Sequence, residues 1–72
     1  MTERIKWGIL GCSRIARTAL IPALQASAQT ELIGIASRNL QSSRDWAAEF
    51  GIPRFYGNYS DLMSDPDIHV VY

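Results

Sequence analysis

The 72-residue chain has little of several features that define whole classes of protein. Its one cysteine, Cys12, cannot form an internal disulfide, which excludes a disulfide-stapled mini-protein. No run reaches the ~18 consecutive apolar residues that a membrane span needs, so we expect no membrane partner. The first residues lack the apolar segment of a secretory signal, and we therefore expect a cytoplasmic protein.

Neither sign of charge is in excess, because seven basic residues balance seven acidic ones. Nucleic-acid-binding proteins are usually basic, so we expect no nucleic-acid partner. Apolar residues are plentiful at 47%, which excludes an intrinsically disordered chain. The charge is uneven, with a net +4 over residues 1–44 and −4 over residues 45–72. Six of the seven basic residues are arginines, which suit phosphate contacts better than lysine does.

Four short segments have the composition of strands. Ile5–Leu10 and Glu31–Ala36 are mostly apolar runs, as expected for strands buried on both faces of a parallel sheet. Arg54–Tyr56 is a short strand or extended link, and Ile68–Tyr72 is a further strand that the end of the chain interrupts. We expect the chain to be the first part of a longer protein.

Three segments between these strands are predicted to be helical. Apolar residues at three- and four-residue spacing predict a helix over 14–27, in which Pro22 should cause a kink or start a second segment. A second helix is predicted over about 40–50, ended by Gly51. A short third helix is expected to run through Met63.

The helix starts have several candidate capping residues. The second helix could be capped by a box formed by Ser42 and Asp45, or by Asn39 one turn earlier. Ser60 is predicted to cap the third helix.

The alternation of strands and helices predicts a parallel sheet with right-handed crossovers. We expect the first strand to lie between the second strand and the last one, and the short strand 54–56 to lie on the outer side of the second.

The segment between the first strand and the first helix reads Gly11-Cys12-Ser13-Arg14-Ile15-Ala16. Dinucleotide-binding proteins carry G-x-G-x-x-G or G-x-G-x-x-A at this place. Gly11 allows the tight turn, and Ala16 is small enough for the helix to pack closely on the strand. Ser13 replaces the second glycine; its hydroxyl can donate to a phosphate, but it cannot adopt a positive φ without cost. We predict nucleotide binding here, the alternative being a plain strand-to-helix turn.

The end of the second strand indicates which dinucleotide is preferred. A carboxylate about 20 residues after the glycine loop would bind the ribose 2′-hydroxyl and favour NAD. This sequence has Ser37 and Arg38 there and no acid. A hydroxyl and a guanidinium suit a 2′-phosphate, so we favour NADP over NAD. The alternative is that Arg38 is a solvated surface arginine.

The order of strands and helices, together with this loop, predicts an α/β fold class. We expect a partial Rossmann domain with a doubly wound parallel sheet.

The sequence resembles the glucose–fructose oxidoreductase / inositol dehydrogenase (Gfo/Idh/MocA-like) family along essentially its whole length. The similar segments are Gly8–Ala16, Ala36–Asn39 and Phe50–Gly57, followed by Tyr59–Leu62 and Asp65–Ile68. The resemblance implies an NAD(P)-dependent oxidoreductase that acts on sugars, inositols or related cyclic alcohols and diols.

The resemblance also implies which residues bind the cofactor. The pyrophosphate loop would be lined by Gly11, Cys12, Ser13, Arg14 and Ile15. Ser37 and Arg38 would meet the adenosine ribose or its phosphate. The family's proton-transfer lysine and its substrate domain, which usually mediates oligomerisation, follow later in the chain. Residues 1–72 would then be the N-terminal part of a dinucleotide-binding domain in a homo-oligomer, with no catalytic residue and no substrate domain among them.

Other readings of the sequence stay open. A non-catalytic sensor of NAD(P)H would keep the loop, and an isolated fragment would have no activity of its own; a different Rossmann-like enzyme, such as a methyltransferase, is less favoured by Ser37 and Arg38. Cys12 and His69 are expected to be packing residues, and Asp65 and Asp67 to form a turn. No cluster of metal-ligating residues suggests a metal site.

Overall fold

The computed structural model describes residues 4–72. It contains four strands: β1 (Ile5–Leu10), β2 (Thr30–Ala36), β3 (Arg54–Tyr56) and β4 (Val70–Val71). All neighbouring strands are parallel, and their order is β3-β2-β1-β4. This is the predicted order, with the short strand outside β2 and the last strand beside β1.

The first helical region differs from the single helix predicted over 14–27. Helical backbone begins at Arg14, passes through a π-helical segment, Ala16–Leu20, and continues as helix α1, Ile21–Ala26. The Ile21 N–H donates to the Ala16 carbonyl, five residues back. The wide turn directly precedes Pro22, which has no N–H and lies in the first turn of α1. Of the two predicted outcomes, a kink or the start of a second segment, the structure has the second at Pro22.

Helix α2 (Leu40–Phe50) is capped by Asn39 and not by Ser42 and Asp45. The Asn39 side chain accepts hydrogen bonds from the backbone N–H groups of Gln41 and Ser42, because Asn39 itself is extended and lies just outside the helix. Gly51 ends the helix in the left-handed conformation, with φ +68°, as predicted.

Helix α3 (Tyr59–Met63) begins one residue before the predicted cap. The capping residue is Asn58, whose side chain accepts from the Asp61 N–H at 2.8 Å, so the prediction for Ser60 was wrong. Asn58 takes the role because its backbone is extended immediately before the first helical residue, whereas Ser60 already lies inside the helix.

Strand β4 is shorter than the predicted strand over Ile68–Tyr72. Ile68 donates its N–H to the Asp65 carbonyl and therefore belongs to the preceding turn. Backbone hydrogen bonds from His69 N–H to Lys6 O and from Tyr72 N–H to Gly8 O still continue the pairing with β1 on both sides of the strand.

Helices cover both faces of the sheet. One face carries the main core, in which α1 and α2 pack on β1 and β2; its buried side chains are Ile9, Ala16, Ile21, Leu24, Leu32, Ile35, Ala47 and Ile52. On the other face Leu62 of α3 packs against Gly8, where a Cβ would lie 2.7 Å from the Leu62 Cδ2. The doubly wound arrangement is confirmed. Within residues 4–72, none of the helices has the length and apolar character required to cross a membrane.

Candidate nucleotide-binding site

Gly11 makes the turn that leads out of β1. Its φ is +94°, a conformation that an L side chain rarely adopts, and its N–H donates to the Ala36 carbonyl at 2.6 Å. This hydrogen bond ties the carboxyl ends of β1 and β2 together. The predicted role of Gly11 as the turn residue is therefore what the geometry requires.

Ser13 caps the helical segment that follows the turn. Its Oγ accepts a hydrogen bond from the Ala16 N–H at 3.1 Å, and its carbonyl accepts from the Arg17 N–H at 3.1 Å. No residue other than glycine has a positive φ in residues 4–72, so serine fits this place without backbone strain. Because Oγ serves as an acceptor in the cap, its proton remains available for donation to an anion.

The first helical turn provides further donors. Arg14 and Ile15 begin the helical backbone, where N–H groups have no carbonyl one turn earlier to bond. Both side chains are exposed, with Ile15 65% exposed. Aligned N–H groups and the helix dipole favour an anion at this end of the helix.

Cys12 is half-buried and packs against the main core. Burial raises the pKa of its thiol, and the opposing effects of Ser37 and Arg17 are smaller. A thiol with a raised pKa is a poor nucleophile. The structure thus supports the packing role that the sequence indicated for the Cys12 side chain.

Ser37 and Arg38 form a tight turn at the end of β2. The Ser37 hydroxyl accepts from the Asn39 N–H and donates to the Asn39 carbonyl, both at 2.9 Å, and the Ser37 N–H donates to the Tyr56 carbonyl. Ser37 is buried, whereas Arg38 is exposed and its guanidinium has no side-chain hydrogen bond or ion pair within residues 4–72. Ser37 therefore holds the turn that places Arg38 at the edge of the sheet, and a phosphate contact by its hydroxyl would require a change of partner.

The two turns lie side by side, since β1 and β2 are neighbours in the sheet. The chain leaves β1 for β2 on one side of β1, whereas the connection from β3 leads to β4 on the other side of β1. Ligands of open α/β sheets bind at such a switch point, outside the carboxyl ends of the strands.

Arg17 lies next to the site but is directed away from it. Its guanidinium forms a two-point ion pair with Glu49 and lies over the Trp46 ring, 4.7 Å from the centroid. These contacts join the π-helical segment to α2, so Arg17 stabilises the fold and is not a free cation of the crevice.

A second polar cluster lies away from the two turns. Asp65 accepts hydrogen bonds from the Tyr56 hydroxyl at 2.6 Å and from Arg54, which also pairs with Asp67. The hydroxyl, the guanidinium and the Asp67 N–H together lower the pKa of Asp65 to about 2. Asp65 and Asp67 do form a turn, as predicted, but the sequence offered no signal for the partners Arg54 and Tyr56.

Tyr59, at the start of α3, completes the surroundings of the glycine turn. The Tyr59 hydroxyl lies 3.7 Å from the position that a Cβ on Gly11 would occupy. No spacing rule links a residue at the start of α3 to the loop after β1; only the packing of α3 on the sheet brings them together.

A positive-φ glycine, a serine-capped helix and an arginine without a side-chain partner among residues 4–72 lie at the switch point and fit the pyrophosphate and adenosine ends of a dinucleotide. The fold and the site together define the dinucleotide-binding half of a Rossmann domain. Residues 5–72 match the model of the Gfo/Idh/MocA family, described as an oxidoreductase family with an NAD-binding Rossmann fold. The chain belongs to this family, as its sequence resemblance indicated.

Individual relatives agree with this assignment. The chain is 40% identical over 70 residues to an uncharacterized oxidoreductase, ORF334, of Rhizobium meliloti, covering 97% of the chain. It is 33% identical over 70 residues, 94% of the chain, to mouse trans-1,2-dihydrobenzene-1,2-diol dehydrogenase. In both comparisons the chain spans 21% of the relative's length.

A solved structure has the same fold. KijD10, a 3-ketoreductase from Actinomadura kijaniata in complex with NADP and TDP-benzene, superposes with a TM-score of 0.89 at 34% sequence identity. The match covers 97% of this chain and 21% of the KijD10 chain.

Proposed function

We propose that the chain is the cofactor-binding segment of an NAD(P)-dependent oxidoreductase that prefers NADP. The observation that carries the proposal is the position of the Gly11 turn beside Arg38, whose guanidinium has no partner in the described part of the chain, at the carboxyl ends of adjacent strands. The family assignment supports dinucleotide binding, and the NADP bound to KijD10 supports the choice between the two cofactors.

Each predicted residue has a defined task in this proposal. The pyrophosphate would accept hydrogen bonds from the Ser13 hydroxyl and from the backbone N–H groups of Arg14 and Ile15, while Gly11 and Cys12 shape the loop. Since strand β2 is followed by Ser37 and Arg38 rather than by a carboxylate, a 2′-phosphate meets a cation and no repulsive charge. When bound, the nicotinamide would carry the hydride of the reaction.

The substrate is proposed to be a sugar, an inositol or a related cyclic alcohol or diol. The diol dehydrogenase and the 3-ketoreductase among the relatives support this class. The chain spans 21% of their length, so we place the substrate domain and the catalytic residues of such an enzyme outside these residues. We further propose that the enzyme is a cytoplasmic homo-oligomer.

Calorimetric titration of the chain with NADPH, and separately with NADH, tests the proposal. We expect both dinucleotides to bind, with NADPH binding more tightly. Tighter binding of NADH would contradict the preference for NADP. Absence of binding by either dinucleotide, in a chain that unfolds cooperatively in urea, would contradict the cofactor-binding function itself.

A further inference from the structure

Tyr59 borders the glycine turn from the opposite side of the sheet to α1. Its hydroxyl is the sole atom within 4 Å of the Gly11 Cβ position among the described residues, apart from Gly11 and its two chain neighbours. The distance of 3.7 Å is an ordinary van der Waals separation, so a Cβ at Gly11 would touch the hydroxyl without a clash.

Packing of α3 fixes this position. Leu62 follows Tyr59 by one helical turn and therefore lies on the same face of α3. Leu62 is fully buried against Gly8, three residues before Gly11 on β1. Since α3 runs antiparallel to β1, anchoring Leu62 over Gly8 places Tyr59 over Gly11.

The Tyr59 hydroxyl has no hydrogen-bond partner in residues 4–72, in contrast to the Tyr56 hydroxyl, which donates to Asp65. Tyr59 is half-buried, so its ring is held by packing while its polar end reaches the edge of the site. A fixed O–H donor with no acceptor among the described residues, next to the glycine turn that leads into the start of a helix, is suited to bind an anionic oxygen.

We infer that the Tyr59 hydroxyl donates a hydrogen bond to the pyrophosphate of the bound dinucleotide. This inference rests on the proposed function, because it requires the pyrophosphate to lie at the Gly11 turn. It assigns Tyr59 to the part of the cofactor that NADP and NAD share, whereas Arg38 is assigned to the 2′-phosphate that distinguishes them.

The test is calorimetric titration of Tyr59→Phe, which keeps the ring and removes the hydroxyl. We expect the affinity for NADPH and for NADH to fall by the same factor, about tenfold, as for loss of one hydrogen bond to a charged group. Adenosine 2′-phosphate, which has no pyrophosphate, should bind Tyr59→Phe as tightly as it binds the unaltered chain.

Ser60→Ala is the matched control, since it removes an exposed hydroxyl from the same helical turn, and it should bind both dinucleotides normally. An unchanged dinucleotide affinity in Tyr59→Phe would overturn the inference. An equal loss of affinity for adenosine 2′-phosphate would also overturn the inference, because it would show that the substitution disturbs the fold and not a contact with the pyrophosphate. If the unaltered chain bound neither dinucleotide, the proposed function would fail first, and the two failures are thereby distinguished.

Discussion

At the amino end of the sheet, Arg4, Lys6, Glu31 and His69 line a cleft of about 340 Å³. The carboxyl end has cations too, but it combines them with a positive-φ glycine turn and the start of a helix. In the cleft Glu31 offsets the positive charge, and the His69 Nδ1 accepts a hydrogen bond from the backbone N–H of Lys6 at 3.2 Å. Concave shape and cations thus do not by themselves define an anion site; a glycine turn and the backbone N–H groups of a helix start are needed as well.

The arginines show the same contrast. Arg54, at the amino end of β3, pairs with two aspartates, and Arg17 pairs with Glu49. Arg14 and Arg38 lie beside the two turns, and their guanidinium groups have no hydrogen bond or ion pair within the described residues. Arginines that hold elements together are satisfied internally, whereas those at the crevice remain available to a ligand.

The largest expected effect is on cofactor choice. Arg38→Ala should weaken NADPH binding about ten- to a hundredfold, through loss of a charge-assisted contact, and leave NADH binding nearly unchanged. Arg4→Ala, which removes a charge from the amino-end cleft, should change neither affinity. Calorimetric titration measures both variants, and equal losses for NADPH and NADH in Arg38→Ala would refute the assignment.

The next effect separates the two left-handed glycines. Alanine at Gly11 or at Gly51 should cost about 1–2 kcal/mol of stability, because φ is positive at both positions. Only Gly11→Ala should also weaken the binding of both dinucleotides, since only the Gly11 turn lies at the crevice. Urea unfolding and titration check the two results; normal binding by Gly11→Ala would show that the turn is not part of the site.

A smaller effect concerns the start of α3, the helix that positions Tyr59. Asn58→Ala should lower the free energy of unfolding by about 1 kcal/mol, because it removes the N-cap. Ser60→Ala should have little effect, although the sequence favoured it as the cap. Thermal unfolding of the two variants measures this difference. A larger loss of stability in Ser60→Ala than in Asn58→Ala would contradict the observed cap.

The smallest effect is expected in the cluster of Arg54, Tyr56, Asp65 and Asp67, because Arg54 is partly exposed and solvent screens its ion pairs. The pKa of Asp65 is about 2 in the folded chain against an ordinary 3.8, so the unfolded state binds more protons between these values. Stability should therefore fall as the pH drops from about 4 to about 2. Urea unfolding at several pH values should show a weaker fall in Asp65→Asn, and an equally steep one would contradict this assignment.

The sequence was sufficient for β1, β2, α2 and β3, because apolar runs and turn residues such as Gly51 act locally. The fingerprint loop and its place before a helix were also predictable. The π-helical segment was not, since it depends on how Pro22 is accommodated within a helix that must still bury Ile21 and Leu24.

The rest of the site depends on contacts between distant parts of the chain. Tyr59 reaches Gly11 only because Leu62 packs over β1, and Asp65 meets Arg54 only when β3 joins the sheet. The role of Ser13 as a cap had a local signal, a serine directly before a helix, at the position where the dinucleotide fingerprint has its second glycine.

The most direct measurement is a map of backbone amide chemical shifts in the ¹⁵N-labelled chain as NADPH is added. The largest changes should fall on residues 11–15 and 37–38, at the carboxyl ends of β1 and β2. Lys6, Glu31 and His69, in the amino-end cleft, should change little. Changes concentrated on those three residues, with residues 11–15 unaffected, would place the ligand at the wrong end of the sheet and contradict the account.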